Sequence, residues 1–348
     1  MPEPPLRGRG VSTNPPNRYE TLHIDPDEAG GGDDRTVYYR DASRSVLAEN
    51  ESPDVAFRLS LNPYRGCAHG CAYCYARPTH EYLGFSAGLD FERRIMVKED
   101  APALLRRALE SPRWMPELVA LSGNTDCYQP IERQLGITRR CLEVFADFRN
   151  PVGIVTKSAL IVRDADLLGE LARHGAAQVS CSVTTLDPEL ARRLEPRAPR
   201  PEKRLEAIAA LAAAGVPVSL LIGPVIPGLN DAEIPRILAA GAAAGAVSAA
   251  WVLLRLPKPV DALFTRWLEE HVPERRDRVL HRIQDTRAGR LSDVAFGRRK
   301  RGQGVYAEQI AALFAAAARK QGLDRPLPPP NTGAFRRLPR AGEQLPLL

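Results

Sequence analysis

The chain has 348 residues, of which 44% are hydrophobic and 26% charged, the balance of a folded, water-soluble protein and not of a disordered or fibrous one. No apolar run approaches the roughly 20 residues that a membrane-spanning helix needs, and residues 1–17, rich in Pro and Arg, lack the apolar centre of a secretory signal, so the cytoplasm is the expected compartment. A formal net charge of +6 is compatible with an anionic partner, nucleic acid included, and proves none.

Residues 1–50 are charged and rich in Pro and Gly, and read as mostly disordered. From about Phe57 the texture changes. Short β-rich runs at 57–61, 118–122, 152–156, 178–183, 216–222 and 248–254 alternate with helix-period stretches at 101–110, 131–147, 164–174, 201–214 and 231–245. Continuous apolar strands between amphipathic helices predict a parallel sheet with helices on its outside. After Arg255 the pattern turns helical, at about 261–287 and 305–321, and ends in a Pro-rich stretch. The expected division is a mostly disordered segment 1–50, a core 51–258, a helical extension 259–323 and a disordered tail 324–348. The basic run Arg298 to Arg301 reads first as a solvated loop.

The chemistry concentrates in Cys67-Ala68-His69-Gly70-Cys71-Ala72-Tyr73-Cys74. Three thiolates within eight residues can grip one metal cluster. Structural zinc and ordinary cubane clusters take four protein ligands, so three leave one metal position open for reaction. Zinc with His69 or His80 as fourth ligand is the alternative, although no second C-x2-C pair follows. A disulfide framework fits poorly with a long chain of six cysteines and no secretory signal. The motif falls just after the first predicted strand, where parallel barrels carry their active-site loops. Gly70 lets the backbone curl closely around a bound group.

Other polar residues recur at predicted strand ends. Ser122-Gly123-Asn124-Thr125-Asp126 ends the second strand, where Asn124 and Thr125 can hydrogen-bond an ammonium or carboxylate; equally, they suit a turn and N-cap. Lys157, after the third, supplies a point charge suited to a carboxylate. Ser182 ends the fourth, and Gly223 to Asp231 follows the fifth as a Pro/Gly turn. Cys141 and Cys181 lack cysteine neighbours at ligand spacing and read as buried packing residues, so one cluster is expected. Cys127 follows Asp126 at the active-site end of the second strand, where a thiol could donate a hydrogen atom or be a plain loop thiol.

The C-x3-C-x2-C spacing with an aromatic before the third cysteine resembles the signature of the radical S-adenosylmethionine (SAM) superfamily. Asn62-Pro63-Tyr64-Arg65-Gly66, Tyr75-Ala76-Arg77-Pro78, Thr156-Lys157-Ser158 and Glu195-Pro196-Arg197 resemble its spore photoproduct lyase-like branch, over about residues 55–255. Phe296-Gly297-Arg298 to Tyr306-Ala307 is similar to a bacterial subgroup of that branch. The resemblance implies an α/β fold, a partial (β/α)6 radical SAM barrel with a helical C-terminal appendage. It implies a [4Fe-4S] cluster on Cys67, Cys71 and Cys74, and SAM held by Tyr73, Asn124, Thr125, Lys157 and Ser182. It further implies reductive SAM cleavage fed by a low-potential donor such as flavodoxin or ferredoxin, and hydrogen abstraction from a substrate that could be nucleic acid. Authentic lyases of the branch carry a donor cysteine where this chain has Gly123, and Cys127 is the candidate replacement. The alternatives are a cluster- or zinc-binding barrel without catalysis, and a radical SAM enzyme acting on a small molecule or peptide.

Overall fold

In a computed structural model the structure describes residues 9–15, 17–19, 36–55, 57–293 and 295–338. Ten strands run in chain order: β1 (Val37–Arg40), β2 (Leu47–Glu49), β3 (Leu59–Leu61), β4 (Tyr64–Arg65), β5 (Arg94–Val97), β6 (Val119–Leu121), β7 (Val152–Thr156), β8 (Ala177–Ser182), β9 (Val218–Val225) and β10 (Ser248–Leu253). The main sheet has the order β10-β9-β8-β7-β6-β3-β2. Its six strands from β3 to β10 are parallel and lie in chain order, and β2 joins the β3 edge antiparallel. Consecutive strands that are neighbours without a reversal wind in one direction, which is the α/β partial barrel expected. Each of the six expected strands is present within two or three residues.

The helices form where apolar residues recur at helical spacing. Leu105 and Leu109 (helix Ala101–Glu110), Leu142 and Phe145 (Ile137–Phe148), Leu168 and Leu171 (Ala165–Arg173), Ile208 and Leu211 (Pro201–Ala213) and Ile237 and Leu238 (Ile234–Ala243) join the strand residues in one core. Three of these helices end alike. Gly175, Gly215 and Gly245 take positive φ, and the next amide reaches back to the carbonyl of Leu171, Leu211 or Gly241. This Schellman closure turns the chain sharply into the following strand.

Two expected helices are split. Gly136, at φ +61°, separates Glu132–Leu135 from Ile137–Phe148, and Pro273 separates Val260–His271 from Arg276–Asp285. A helix Pro188–Leu194, with Asp187 as its N-cap, and a small sheet β1-β5-β4 had no counterpart in the sequence pattern.

The expected disorder at the two ends is corrected where residues are described. Within 1–50, β1 and β2 are strands and residues 9–15 lie against the cysteine loop; residues 1–8 and 20–35 lie outside the described residues. Residues 324–338 are also held down. Asn331 N donates to Gly175 O (2.9 Å), Arg336 N donates to Phe148 O (2.9 Å), and Phe335 stacks on Phe148. This segment crosses the N-terminal ends of the parallel strands, closing that end of the barrel. Residues 339–348 lie outside the described residues.

The helical extension covers two other openings. Helix Val305–Lys320 packs on helix Ile234–Ala243, and the exposed edge of β10 is capped by Ala249 N to Leu323 O (2.9 Å) and Leu253 N to Lys300 O (2.8 Å). Capping removes the unpaired edge that would otherwise template association. Helix Val260–His271 places Phe264, Trp267 and Leu268 against Leu190, Leu194 and Ile226, in one cluster with Cys71, Ala72 and Tyr73. The appendage therefore packs directly behind the cysteine loop. Among the described residues, no helix is long and apolar enough to cross a membrane.

Candidate active site

The cysteine loop begins at β4 and is pinned from outside by its backbone. Cys67 N donates to Phe91 O (2.9 Å), Ala72 N to Leu194 O (3.0 Å), and Arg197 N to His69 O (3.2 Å). The Gln129 side chain bridges the loop, accepting from Ala68 N (2.9 Å) and donating to Gly66 O (3.2 Å). Arg77, fully buried, donates to Cys71 O (2.8 and 3.1 Å), Gly88 O (2.9 Å) and Glu92 Oε1 (2.5 Å). Glu92 in turn accepts the amides of Arg9 (2.9 Å) and Gly10 (3.3 Å). Gly10 lies so close that a Cβ there would stand 1.7 Å from Gly70 O. A buried charge pair whose remaining lone pairs and protons are all used holds one geometry.

With the loop's polar backbone engaged, Cys67, Cys71 and Cys74 all line one cavity of about 620 Å³. Burial raises all three thiols, Cys67 to about 12, Cys71 well above its ordinary value with Glu195 adding to the effect, and Cys74 against the pull of Arg77. Such thiols ionise only when a metal takes the thiolate.

Among the described residues no three His, Cys, Asp or Glu side chains converge on a single ion-sized point. Three thiols on one cavity wall suit a cubane cluster, in which three irons would each take a thiolate and the fourth would stay open. Of the two histidines of the zinc alternative, His69 lines the cavity and His80 does not. Burial lowers His69 against the pull of Asp126, toward which its Nδ1 faces at 3.5 Å. The buried His80 ring is stacked on Phe85 and edge-on to Phe91, and is not in the cavity wall.

The ends of the parallel strands form the rest of the wall. Lys157, just beyond β7, donates from Nζ to Ser182 Oγ (2.6 Å) and to Gly223 O (2.7 Å). Asp126 accepts from Lys157 N (2.9 Å) and Thr156 Oγ1 (2.8 Å), joining the ends of β6 and β7. Asn62 Oδ1 accepts the amides of Asn124 (2.9 Å) and Thr125 (3.3 Å), and Thr125 Oγ1 donates to Tyr64 O (2.6 Å). These bonds set the loop after β6 against the segment that leads into the cysteines.

At the centre lies Glu195, fully buried. It accepts from the Tyr73 hydroxyl, from Thr184 Oγ1 (2.6 Å) and from the Arg204 guanidinium, with Lys157 Nζ 3.6 Å away. Burial alone would raise its carboxyl; Arg204, Lys157 and the two hydroxyls outweigh it and hold the group at about 2. Arg204 also donates to Ser182 O (3.1 Å) and Pro199 O (2.8 Å). One carboxylate thus ties the residue before Cys74 to the end of β8 and to the helix that follows.

Tyr73, Asn124, Thr125, Lys157 and Ser182 accordingly share the cavity wall with the three cysteines. Cys127 does not. Ser122, at φ +73°, turns the chain after β6, and its Oγ accepts from Cys127 N (2.6 Å), drawing the thiol into the apolar core with no exposed surface. Cys127→Ala should therefore leave the iron content of the protein unchanged while costing about 1 kcal/mol of stability for the small void, checked by iron assay and thermal melts. Gly123 does line the cavity, and a Cβ there would meet Ser60 Cβ at 3.1 Å and the Phe57 ring at 3.5 Å. Cys141 and Cys181 are buried as expected. Sequence reasoning missed Asn62, Thr184 and the pairing of Glu195 with Arg204. No local signal in the sequence marks them, because the partners come from separate segments.

A model of the radical SAM superfamily matches residues 61–240. The uncharacterized protein Rv2578c of Mycobacterium tuberculosis is 37% identical over 308 residues, 87% of this chain and 87% of that one. The uncharacterized protein MJ0683 of Methanocaldococcus jannaschii is 31% identical over half of this chain and 62% of its own. Among solved structures, a spore photoproduct lyase complexed with dinucleoside spore photoproduct shares the fold with a TM-score of 0.58 at 15% identity, covering 81% of this chain and 79% of that one. A variant of that lyase with bound AdoMet and the same dinucleoside gives 0.58 at 16% identity, covering 82% and 79%. The chain belongs to the radical SAM superfamily, a family that implies a [4Fe-4S] cluster and SAM.

Proposed function

We propose that this protein binds one [4Fe-4S] cluster through Cys67, Cys71 and Cys74 and uses it to cleave SAM and abstract hydrogen from a substrate. The observation that carries the reading is three cysteines on the wall of one cavity that also holds Tyr73, Asn124, Thr125, Lys157 and Ser182. A cluster held by Cys67, Cys71 and Cys74 would supply the single electron, drawn from a donor such as flavodoxin or ferredoxin, for reductive cleavage of SAM to methionine and, after hydrogen abstraction from substrate, 5′-deoxyadenosine.

The protein's own part is positioning and exclusion. Lys157 presents an ammonium to a carboxylate, held in place by Ser182 and Gly223. Asn124 and Thr125 are fixed by Asn62, so their polar atoms meet SAM without reorganising. The Glu195 network keeps Tyr73 and Lys157 in register behind the cysteine loop. The appendage helices seal the back of the loop from water.

The substrate belongs, in this reading, to the nucleic acids or nucleotide-like anions. Support comes from the net charge of +6, from Arg255 and Lys300 in the cavity wall, and from the shared fold of a lyase that holds a dinucleoside. A thiol that would return a hydrogen atom to product is missing at Gly123, and Cys127 lies outside the cavity. Lesion repair of the lyase type is therefore not part of the proposal.

The test is anaerobic reconstitution, reduction and product analysis. Formation of 5′-deoxyadenosine by protein carrying about four irons per chain is the expected result, and deuterium moving from a candidate substrate into 5′-deoxyadenosine identifies the substrate. Stoichiometric zinc without iron, or no cofactor cleavage, rejects the proposal.

A further inference from the structure

The cavity wall extends beyond the three cysteines. This further part comes from Asn50, Ser52 and Phe57 around the β2–β3 connection, from Arg255 beyond β10, from Arg299 and Lys300, and from Tyr75. The sequence reading took Arg298 to Arg301 for a solvated loop. Instead it is fastened down. Arg287, itself buried, donates to Leu254 O (2.6 Å) and Arg298 O (3.1 Å), and Lys300 O accepts from Leu253 N (2.8 Å). The basic loop is thereby held against the end of β10, beside Arg255.

The charges in this part do not cancel. Arg299 pairs with Asp54, whose carboxylate also accepts from Gly297 N (2.7 Å). Glu49, an acid in the cavity wall, pairs at 3.0 Å with Arg58, which it shares with Glu117. Lys300 Nζ donates to Asp54 O (2.6 Å), a neutral carbonyl. Arg255 contacts the ring of Tyr75, 5.3 Å from guanidinium to centroid, and among the described residues neither cation has a carboxylate within ion-pairing distance. Burial lowers both, with Arg299 adding to the effect on Arg255, and with Arg255, Arg299 and Arg301 adding to it on Lys300 against Asp54. Two half-buried cations that form no ion pair of their own, with only the already paired Asp54 carboxylate acting on them, can take an anion in a concave site.

We propose that Arg255 and Lys300 form a phosphate subsite for the substrate, with Tyr75 as the face on which the planar group next to that phosphate stacks. Two uncompensated positive charges match a phosphate monoester dianion, whereas a carboxylate would leave one unbalanced. The guanidinium fork grips two phosphate oxygens and the ammonium a third. Tyr75 is half exposed, and its hydroxyl is fixed by donation to Gly123 O (3.2 Å), so its ring is a rigid platform next to Cys74. The subsite thus orients a phosphorylated aromatic or nucleobase-bearing molecule with its body toward the cysteines. This inference rests on the proposed hydrogen-abstracting function for its meaning, though not for its test.

The probe is phenyl phosphate, with benzoate and phenol as comparators, titrated against the iron-loaded protein by ligand-observed NMR. Phenyl phosphate should bind with dissociation constant at least tenfold below that of either comparator, and more weakly as salt rises. Arg255→Gln should weaken it about tenfold or more, the loss expected for a charge-assisted hydrogen bond, Lys300→Gln by a smaller factor, and Arg255→Lys should restore part of the loss. Arg192→Gln, on an exposed helix face, should bind as the parent does. Equal affinity for phenyl phosphate and phenol, no binding of phenyl phosphate, or binding indifferent to both Arg255→Gln and Lys300→Gln overturns the subsite. If 5′-deoxyadenosine forms normally in such a protein, only the subsite falls. If phenyl phosphate binds as expected but no 5′-deoxyadenosine forms, only the proposed function falls.

Discussion

Protein carrying Cys74→Ser, reconstituted with iron and sulfide, should emerge colourless, with iron reduced from about four per chain to a small residue and 5′-deoxyadenosine formation at background. A serine hydroxyl has nearly the volume of the thiol but does not ionise to a ligand near neutral pH, and three thiolates are the minimum that leave one iron open. The substitution leaves the loop's frame intact. Cys74 N still donates to Cys71 O (3.3 Å), Arg77 N to Cys74 O (3.3 Å), and the Arg77 guanidinium still holds Cys71 O. Thermal melts of the metal-free protein should therefore match the parent within about 1 kcal/mol. That pairing of results separates loss of a ligand from loss of fold. A serine variant that keeps both iron and cofactor cleavage would show that the cluster is held elsewhere.

Glu195→Gln should be the most damaging single change outside the cysteines. It removes the charge opposite Arg204, which is buried with it, and breaking such a pair costs roughly 3–5 kcal/mol because the remaining cation stays in the interior. The wild-type protein should lose the same support in acid. The folded-state carboxyl lies at about 2, below the ordinary glutamate value. Its contribution, on the order of 3 kcal/mol, is fully present above about pH 4.5 and disappears as pH falls toward 2. Denaturant unfolding at pH 7 and at pH 3 checks both statements. The gap between parent and Glu195→Gln should be wide at pH 7 and less than half as wide at pH 3. A variant as stable as the parent at pH 7 would mean that Arg204 finds another partner.

The barrel was legible because most of its strands are short, mainly apolar and largely buried runs, a signal that does not depend on distant residues. The cysteine loop was legible because its three ligands are close in sequence. What the sequence concealed depends on residues brought together by folding. Tyr73, Lys157, Glu195 and Arg204 come from four separate segments, and nothing local distinguishes a buried Glu–Arg pair from two solvated charges. Cys127 stands at the expected end of its strand, but the positive φ of Ser122 redirects the chain, and periodicity carries no sign of such a turn. The ends of the chain were read as disordered because composition measures how much apolar surface a segment can bury. Residues 9–15 and 331–336 are held mainly by backbone and amide hydrogen bonds to the barrel, to which that measure is blind.

The place of Gly10 against Gly70 gives the N-terminal segment an influence out of proportion to its length. Two amides from Arg9 and Gly10 complete the coordination of Glu92, which anchors Arg77, which clasps the carbonyl of the middle cysteine. Residues 9 and 10 therefore fasten the cysteine loop, like a latch closed from outside the barrel. A shortened protein that lacks only the residues up to Gly10 would retain the three cysteines and every described strand. It would nonetheless leave a buried carboxylate short of donors directly behind the loop, so that the grip on the cluster, not the fold, is what trimming would weaken first.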